Sequence, residues 1–192
     1  MTKFILHGGE TGVPNEHNKA FYQEWVKDFP ADKVPTILLV YYSRPDEIWN
    51  ELEKSDKERF AKYTNNREAN FVVADNDMDK FKEQIKEADI LYFRGGEPQK
   101  IIDTMKTIKD EFISLIDGKV YAGSSAGVMF LSDFSRSANR DWQQYLGLLP
   151  INSFVHYSKE LNKELGKFIE SHSNDQNEYI LLPETEYIIK YF

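Results

Sequence analysis

Short apolar runs alternating with helical stripes constrain this chain more than any other feature. Phe4 to Leu6, Thr36 to Tyr42, Phe71 to Ala74, Ile90 to Phe93 and Val120 to Ala122 are too short to be buried helices. Most are β-branched or aromatic, and they read as strands buried on both faces. Between them, Asn15 to Phe29 carries Phe21, Trp25, Val26 and Phe29 on one stripe. A helix start at Ser43 to Asp46 leads into Ile48, Trp49, Leu52, Phe60 and Tyr63. Asn76 or Asp77 is placed to cap a helix bearing Met78, Phe81 and Ile85. Pro98 suits the first turn of another, with Ile101, Ile102 and Met105, and Phe112, Leu115 and Ile116 mark one more. This alternation predicts an α/β fold: a mainly parallel sheet with helices on both faces. In such sheets ligands collect beyond the carboxyl ends of the strands, where Gly8-Gly9, Ser43, Gly95-Gly96 and Ser125 fall.

Composition narrows the function classes. At 192 residues the chain is expected to be a single domain over 1–192. A formal charge of −8 argues against nucleic acid or an anionic membrane as partner, since either calls for a basic face. No apolar run approaches the ~20 residues of a membrane span. The start of the chain, Met1 to Gly9, lacks the long apolar stretch of a secretory signal, so cytoplasmic residence is the expectation. With no cysteine, disulfides, thiolate metal sites and a cysteine nucleophile are all ruled out. The histidines and acids offer no H-E-x-x-H or comparable spacing, so no metal or other cofactor is expected. A homodimer is left open.

Chemistry concentrates at Lys119 to Phe130. A buried strand runs into Gly123-Ser124-Ser125-Ala126-Gly127, a G-x-S-x-G match, and then into an apolar stretch fit to open a helix. That is the context of a nucleophile elbow, in which a serine sits on a strained turn with small neighbours so that a substrate can approach. The helix start also aims backbone N–H groups, beginning at Ala126, at a developing oxyanion. Beyond the elbow, Ser132 to Pro150 reads as irregular structure or short antiparallel strands. Phe154 to His156 reads as a strand, Ser158 to His172 as a helix, Tyr179 to Leu182 as a strand meeting Pro183-Glu184, and Tyr187 to Phe192 as a last strand.

A serine nucleophile needs a base and a group to orient it. Of the four histidines, His156 ends a strand, as Ser125 does, and is the best placed. His7 reads as a turn hydrogen-bonder; His17 and His172 read as solvated, with His172 also fit to complement a helix C-terminus. Two acids compete for the third place. Asp141 would give the order Ser-Asp-His and Glu184 the order Ser-His-Glu, and position at a strand end favours Glu184.

Three blocks carry a resemblance. Tyr92-Phe-Arg-Gly-Gly-Glu-Pro-Gln99, Ala122-Gly-Ser-Ser-Ala-Gly127 and Tyr179-Ile-Leu-Leu-Pro-Glu184, with Leu146-Gly-Leu-Leu-Pro150 before a strand ending in His156, follow in one order. In this the chain resembles the dipeptidase E (aspartyl dipeptidase) and cyanophycinase family of serine peptidases, relatives in fold of the class I glutamine amidotransferases. The resemblance implies a triad of Ser125, His156 and Glu184 and an oxyanion hole from Gly96 and Ala126. It also implies a small peptide substrate, split through an acyl-enzyme. Family members prefer an acidic residue on the acyl side, which Arg136, Arg140 or Arg94 could read; Gly95 and Glu97 complete the substrate-binding candidates. The chain departs from the pattern at Glu97, at Arg94, and in Pro183-Glu184-Thr185-Glu186, where Glu186 is a rival acid.

Overall fold

In the computed structural model, which describes residues 1–172 and 176–192, the expected alternation is laid out as a sheet with helices on both sides. Strands β1 (Lys3–His7), β2 (Thr36–Val40), β3 (Asn70–Val73), β4 (Ile90–Phe93) and β5 (Val120–Ser124) are all parallel, and β10 (Tyr187–Tyr191) joins β1 antiparallel at one edge. The order across the sheet is β10-β1-β5-β4-β2-β3. Successive side chains of a strand point to opposite faces, so each run divides between two cores. Ile5, Ile37, Leu39, Tyr92 and Ala122 pack with Phe21, Tyr22 and Trp25 of α1 (Glu16–Val26) and with Phe60 and Tyr63 of α2 (Trp49–Tyr63). Phe4, Leu38, Leu91, Phe93 and Tyr121 pack the other way, against Phe81 and Ile85 of α3 (Met78–Glu87), Ile101 and Met105 of α4 (Pro98–Met105) and Phe112 of α5 (Lys109–Leu115). Each such Leu, Ile or Phe contributes about 1.5–3 kcal/mol relative to leaving it exposed. This double burial is why the runs lack alternating polar residues.

Helix starts follow the capping rules. Asn15 caps α1, accepting from Asn18 N. Asp77 rather than Asn76 caps α3, with Asp79 N and Lys80 N as donors. Pro98 occupies the first turn of α4 behind Glu97 as cap.

After the elbow the chain builds a second sheet that the strand-by-strand reading did not foresee. It contains β6 (Phe134–Ser137), β7 (Arg140–Gln144), β8 (Ile151–Val155) and β9 (Glu178–Leu182), in the order β7-β6-β8-β9. The β6–β7 pair is the antiparallel alternative raised for 132–150, while β6–β8 and β8–β9 are parallel. The helix opened by the elbow, α6 (Ala126–Met129), is a single turn, and α7 (Asn162–Ser171) crosses from β8 to β9. The turn after β1 joins the two sheets: Gly8 O accepts from His156 N at 3.1 Å, Gly9 O from Thr185 N at 2.9 Å, and Gly8 N donates to Glu186 O at 2.9 Å. Among the described residues no helix is long and apolar enough to cross a membrane.

Candidate active site

Ser125 sits between β5 and α6 with φ +50° and ψ −108°. A non-glycine residue at positive φ is strained, and surrounding contacts must hold it there. They do so here: Ser125 N donates to His7 O at 3.0 Å, and Ser125 O accepts from Val128 N at 2.7 Å and Met129 N at 3.0 Å. The two outer glycines of the motif serve packing as much as access. A Cβ on Gly127 would overlap the Phe93 backbone, and one on Gly123 would overlap Gly127 O. The sequence reading credited these small residues to substrate approach; the structure adds that β5 and α6 could not close on β4 without them.

His156 follows β8, also at positive φ (51°), and its Nε2 lies 2.9 Å from Ser125 Oγ. Its Nδ1 lies 3.2 Å from Glu184 Oε1, just beyond β9. A carboxylate only accepts, so Nδ1 carries the proton and Nε2 is left as an acceptor facing the serine hydroxyl. The His156 side chain is 24% exposed and that of Glu184 58%. The rival acids lie elsewhere. Asp141 is on β7, 96% exposed, with Oδ1 3.8 Å from Arg136 Nη1, and the Glu186 link to the site runs through its carbonyl, which takes the Gly8 N–H.

Ala126 is the first residue of α6, so its N–H has no acceptor within the helix. Gly95 and Gly96 cross in front of the elbow. A Cβ on Gly95 would stand 3.1 Å from Ser125 Cβ, and one on Gly96 would press on Ser43 Oγ at 2.8 Å. Glycine at these positions lets the backbone approach Ser125 closely.

Two clefts meet at Ser125. The first, about 350 Å³, is lined by Gly9 to Gly12, Arg44, Arg94, Gly95, Gly96, Ser124, Ser125 and His156. The second, about 340 Å³, runs past Met129, Ser137 to Arg140 and Glu184. Arg94 is tied to the buried Asp56, which also takes Arg59 Nη1 at 3.1 Å and Tyr41 OH at 2.9 Å. Arg44 Nε donates to Gly95 O at 2.6 Å, which anchors the glycine turn from behind. Burial, and then the neighbouring Arg94 charge, pulls the Arg44 guanidinium below its ordinary value.

The other arginine candidates separate. Arg140 lines the second cleft, but its Nη2 is 2.6 Å from Glu97 Oε2, and this contact holds the Glu97 carboxyl below its ordinary range. Arg136 lines neither cleft: it is 7% exposed, with its guanidinium 5.2 Å above the Phe154 ring. Strand alternation turns it to that face, and Ser137 takes the cleft side. Among the histidines, His17 is exposed, whereas His172 stacks on Phe168 at 4.0 Å rather than standing free in solvent.

His7 is the turn hydrogen-bonder that was expected, but sequence reasoning missed Arg44 and Asn18, the buried partner of His7 beneath the β1 turn. His7 and Asn18 are fully buried. His7 Nδ1 accepts from Gly9 N at 3.0 Å, so Nε2 donates to Asn18 Oδ1 at 2.7 Å. Burial lowers the His7 pKa to about 4. Asn18, three residues beyond a capping Asn15 and on the apolar side of α1, was the available signal. Among the described residues no three His, Asp or Glu side chains converge on a point fit for a metal ion.

Compared with known protein families, residues 4–189 match the model of peptidase family S51. Among solved structures, the chain is similar to a peptidase from an acI-B1 Actinobacterium, at TM-score 0.64 and 19% identity, covering 99% of this chain and 83% of the other. It is also similar to a putative peptidase E protein from Listeria monocytogenes EGD-e, at TM-score 0.62 and 15% identity, covering 100% and 99%. At such identities the likeness establishes the fold. No curated protein matches the chain.

Proposed function

The chain belongs to peptidase family S51, and from that membership we propose that it hydrolyses small peptides through an acyl-enzyme on Ser125. The observation that carries this is the 2.9 Å contact between Ser125 Oγ and His156 Nε2 on an elbow held at φ +50°. In the proposed reaction Ser125 Oγ attacks the scissile carbonyl carbon as His156 Nε2 takes its proton. Glu184 fixes the imidazole tautomer and stabilises the cation that forms. The carbonyl oxygen becomes an oxyanion facing the N–H groups of Ala126 and Gly96, each worth about 3 kcal/mol of transition-state stabilisation. His156 then protonates the leaving amine, and water repeats the sequence to free the acid. A metal or cofactor has no part in this scheme.

Of the cationic groups near Ser125, Arg44 lines the first cleft with no carboxylate partner among the described residues, whereas Arg94 is paired with the buried Asp56 and Arg140 with Glu97. A carboxylate on the substrate would therefore be read in the first cleft, not by Arg136 or Arg140. Guanidinium groups suit that task because they pair with carboxylates in a fixed fork.

A dipeptide panel with acidic, neutral and basic first residues tests the reading, with quenched reactions examined by intact mass. The expected result is turnover of some members and a transient acyl mass on the peptide containing Ser125, with Ser125→Ala lowering kcat/KM by about 10⁴-fold or more. A folded protein that neither turns over nor acylates would be a binding protein on a peptidase fold.

A further inference from the structure

Four residues line both clefts: Ser125, His156, Gly96 and Glu10. The first three have roles in the proposed reaction; Glu10 has none. Every other charged side chain along either cleft already has a partner. Arg94 has Asp56, Arg44 has the Gly95 carbonyl, Arg140 has Glu97, and His156 and Glu184 have each other. Among the described residues the exposed Glu10 carboxylate has neither an ion-pair nor a hydrogen-bond partner.

Its backbone is nevertheless built into place. Glu10 stands at φ +59°, directly after Gly9 at φ +134°. The Glu10 carbonyl accepts from Asn18 Nδ2 at 2.8 Å and from Val13 N at 3.1 Å, and Asn18 is itself fixed by the buried His7. Asn18 Nδ2 also donates to Val13 O at 2.7 Å, closing the loop from both ends. Strain in a non-glycine residue, over-determined by a buried network beside a nucleophile, is a feature of ligand-holding positions.

We propose that Glu10 is a specificity-determining residue that receives the free α-ammonium of the residue whose carbonyl Ser125 attacks, confining hydrolysis to the first bond of an unblocked peptide. The inference rests on the hydrolase reading of the same site. The α-nitrogen is two bonds from the attacked carbonyl carbon. Glu10, a residue that lines both clefts, can thus bring its carboxylate to that nitrogen while the carbonyl oxygen faces Gly96 and Ala126. An ammonium is the complement the site lacks: it brings charge-assisted hydrogen bonds to the one carboxylate there without a partner.

The test uses the p-nitrophenyl esters of alanine and N-acetylalanine with wild type, Glu10→Gln and Glu10→Asp, alongside fluorophosphonate labelling of each. The free-to-acetylated ratio of kcat/KM should fall by on the order of tenfold or more in Glu10→Gln, through KM for the free amine, with part restored in Glu10→Asp. A ratio unchanged by Glu10→Gln, or equal losses on both esters, overturns the assignment while labelling of Ser125 keeps the hydrolase reading. Absence of labelling in folded wild type removes both.

Discussion

The two sheets supply the site in different ways. The six-stranded sheet positions Ser125, the proposed nucleophile, and the proposed oxyanion donors through backbone: Ser125 lies between residues that are fully buried or nearly so, and glycines at 96, 123 and 127 are required by contact. The four-stranded sheet delivers His156 and Glu184 by side chain, from strand ends where the acid is more than half exposed. The turn after β1 hydrogen-bonds to the ends of strands in the second sheet and joins the two. In the proposed reaction, the geometry of attack is therefore set where packing is tight, and the tuning of the base is set where solvent can substitute. Changes at the seam should cost most and changes at the exposed acids least.

Apart from the loss of Ser125 itself, Gly9→Ala should be the most damaging of the predicted changes. A Cβ there would overlap the His156 imidazole, and φ of +134° is closed to alanine. We expect kcat/KM to fall at least ~10²-fold and unfolding free energy to drop by roughly 3 kcal/mol, read by steady-state kinetics and denaturant titration. A variant that kept both would show the seam to be soft.

The same seam should carry a pH signature. In the folded protein the His7 pKa is about 4 against an ordinary 6.5. Between those values the unfolded chain binds a proton that the folded chain refuses, so stability falls as pH drops. The contribution is whole above about pH 6.5, declines towards pH 4 and is lost below it, amounting to about 3 kcal/mol. The wild-type-minus-His7→Gln difference in unfolding free energy, followed from pH 7.5 to 3.5, should show that decline; a flat difference would mean that His7 titrates normally.

Glu184→Gln is expected to cost less, between about tenfold and a hundredfold in kcat, with stability unchanged. A glutamine can still meet His156 Nδ1 but brings no charge to the imidazolium, and water partly replaces it at this exposure. A loss as large as that of Ser125→Ala would place the acid among the rigid parts of the site. Least affected should be Glu97→Gln, which breaks an exposed pair with Arg140. The expected change in stability is below about 1 kcal/mol and shrinks further in high salt, measured by thermal melting at two ionic strengths.

How much of this the sequence disclosed follows the same division. The six-stranded sheet was legible because strands buried on both faces write themselves as unbroken apolar runs, and because Gly8-Gly9 and Gly95-Gly96 mark where they stop. Ser125, His156 and Glu184 could be picked out because each lies within three residues of the end of an apolar run, and the structure brings them within hydrogen-bonding reach in series. The second sheet was not legible as a sheet. Its strands β6 and β7 are polar and carry no clear period, so the side to which Arg136 turns could not be read. Pairings across the fold were hidden for a different reason: Glu97 with Arg140 of β7, and Arg94 with Asp56 of α2, join stretches about 40 residues apart in sequence. The His7–Asn18 pair was hidden because a buried polar couple leaves the same letters as two surface residues.

Fluorophosphonate labelling of the folded protein, with the adduct located by peptide mass, tests most directly whether one activated hydroxyl stands at the junction of the two sheets. The account predicts a single adduct on Ser125, absent in Ser125→Ala and greatly slowed in His156→Ala. No adduct on a protein shown to be folded, or an adduct that persists in Ser125→Ala, would contradict it.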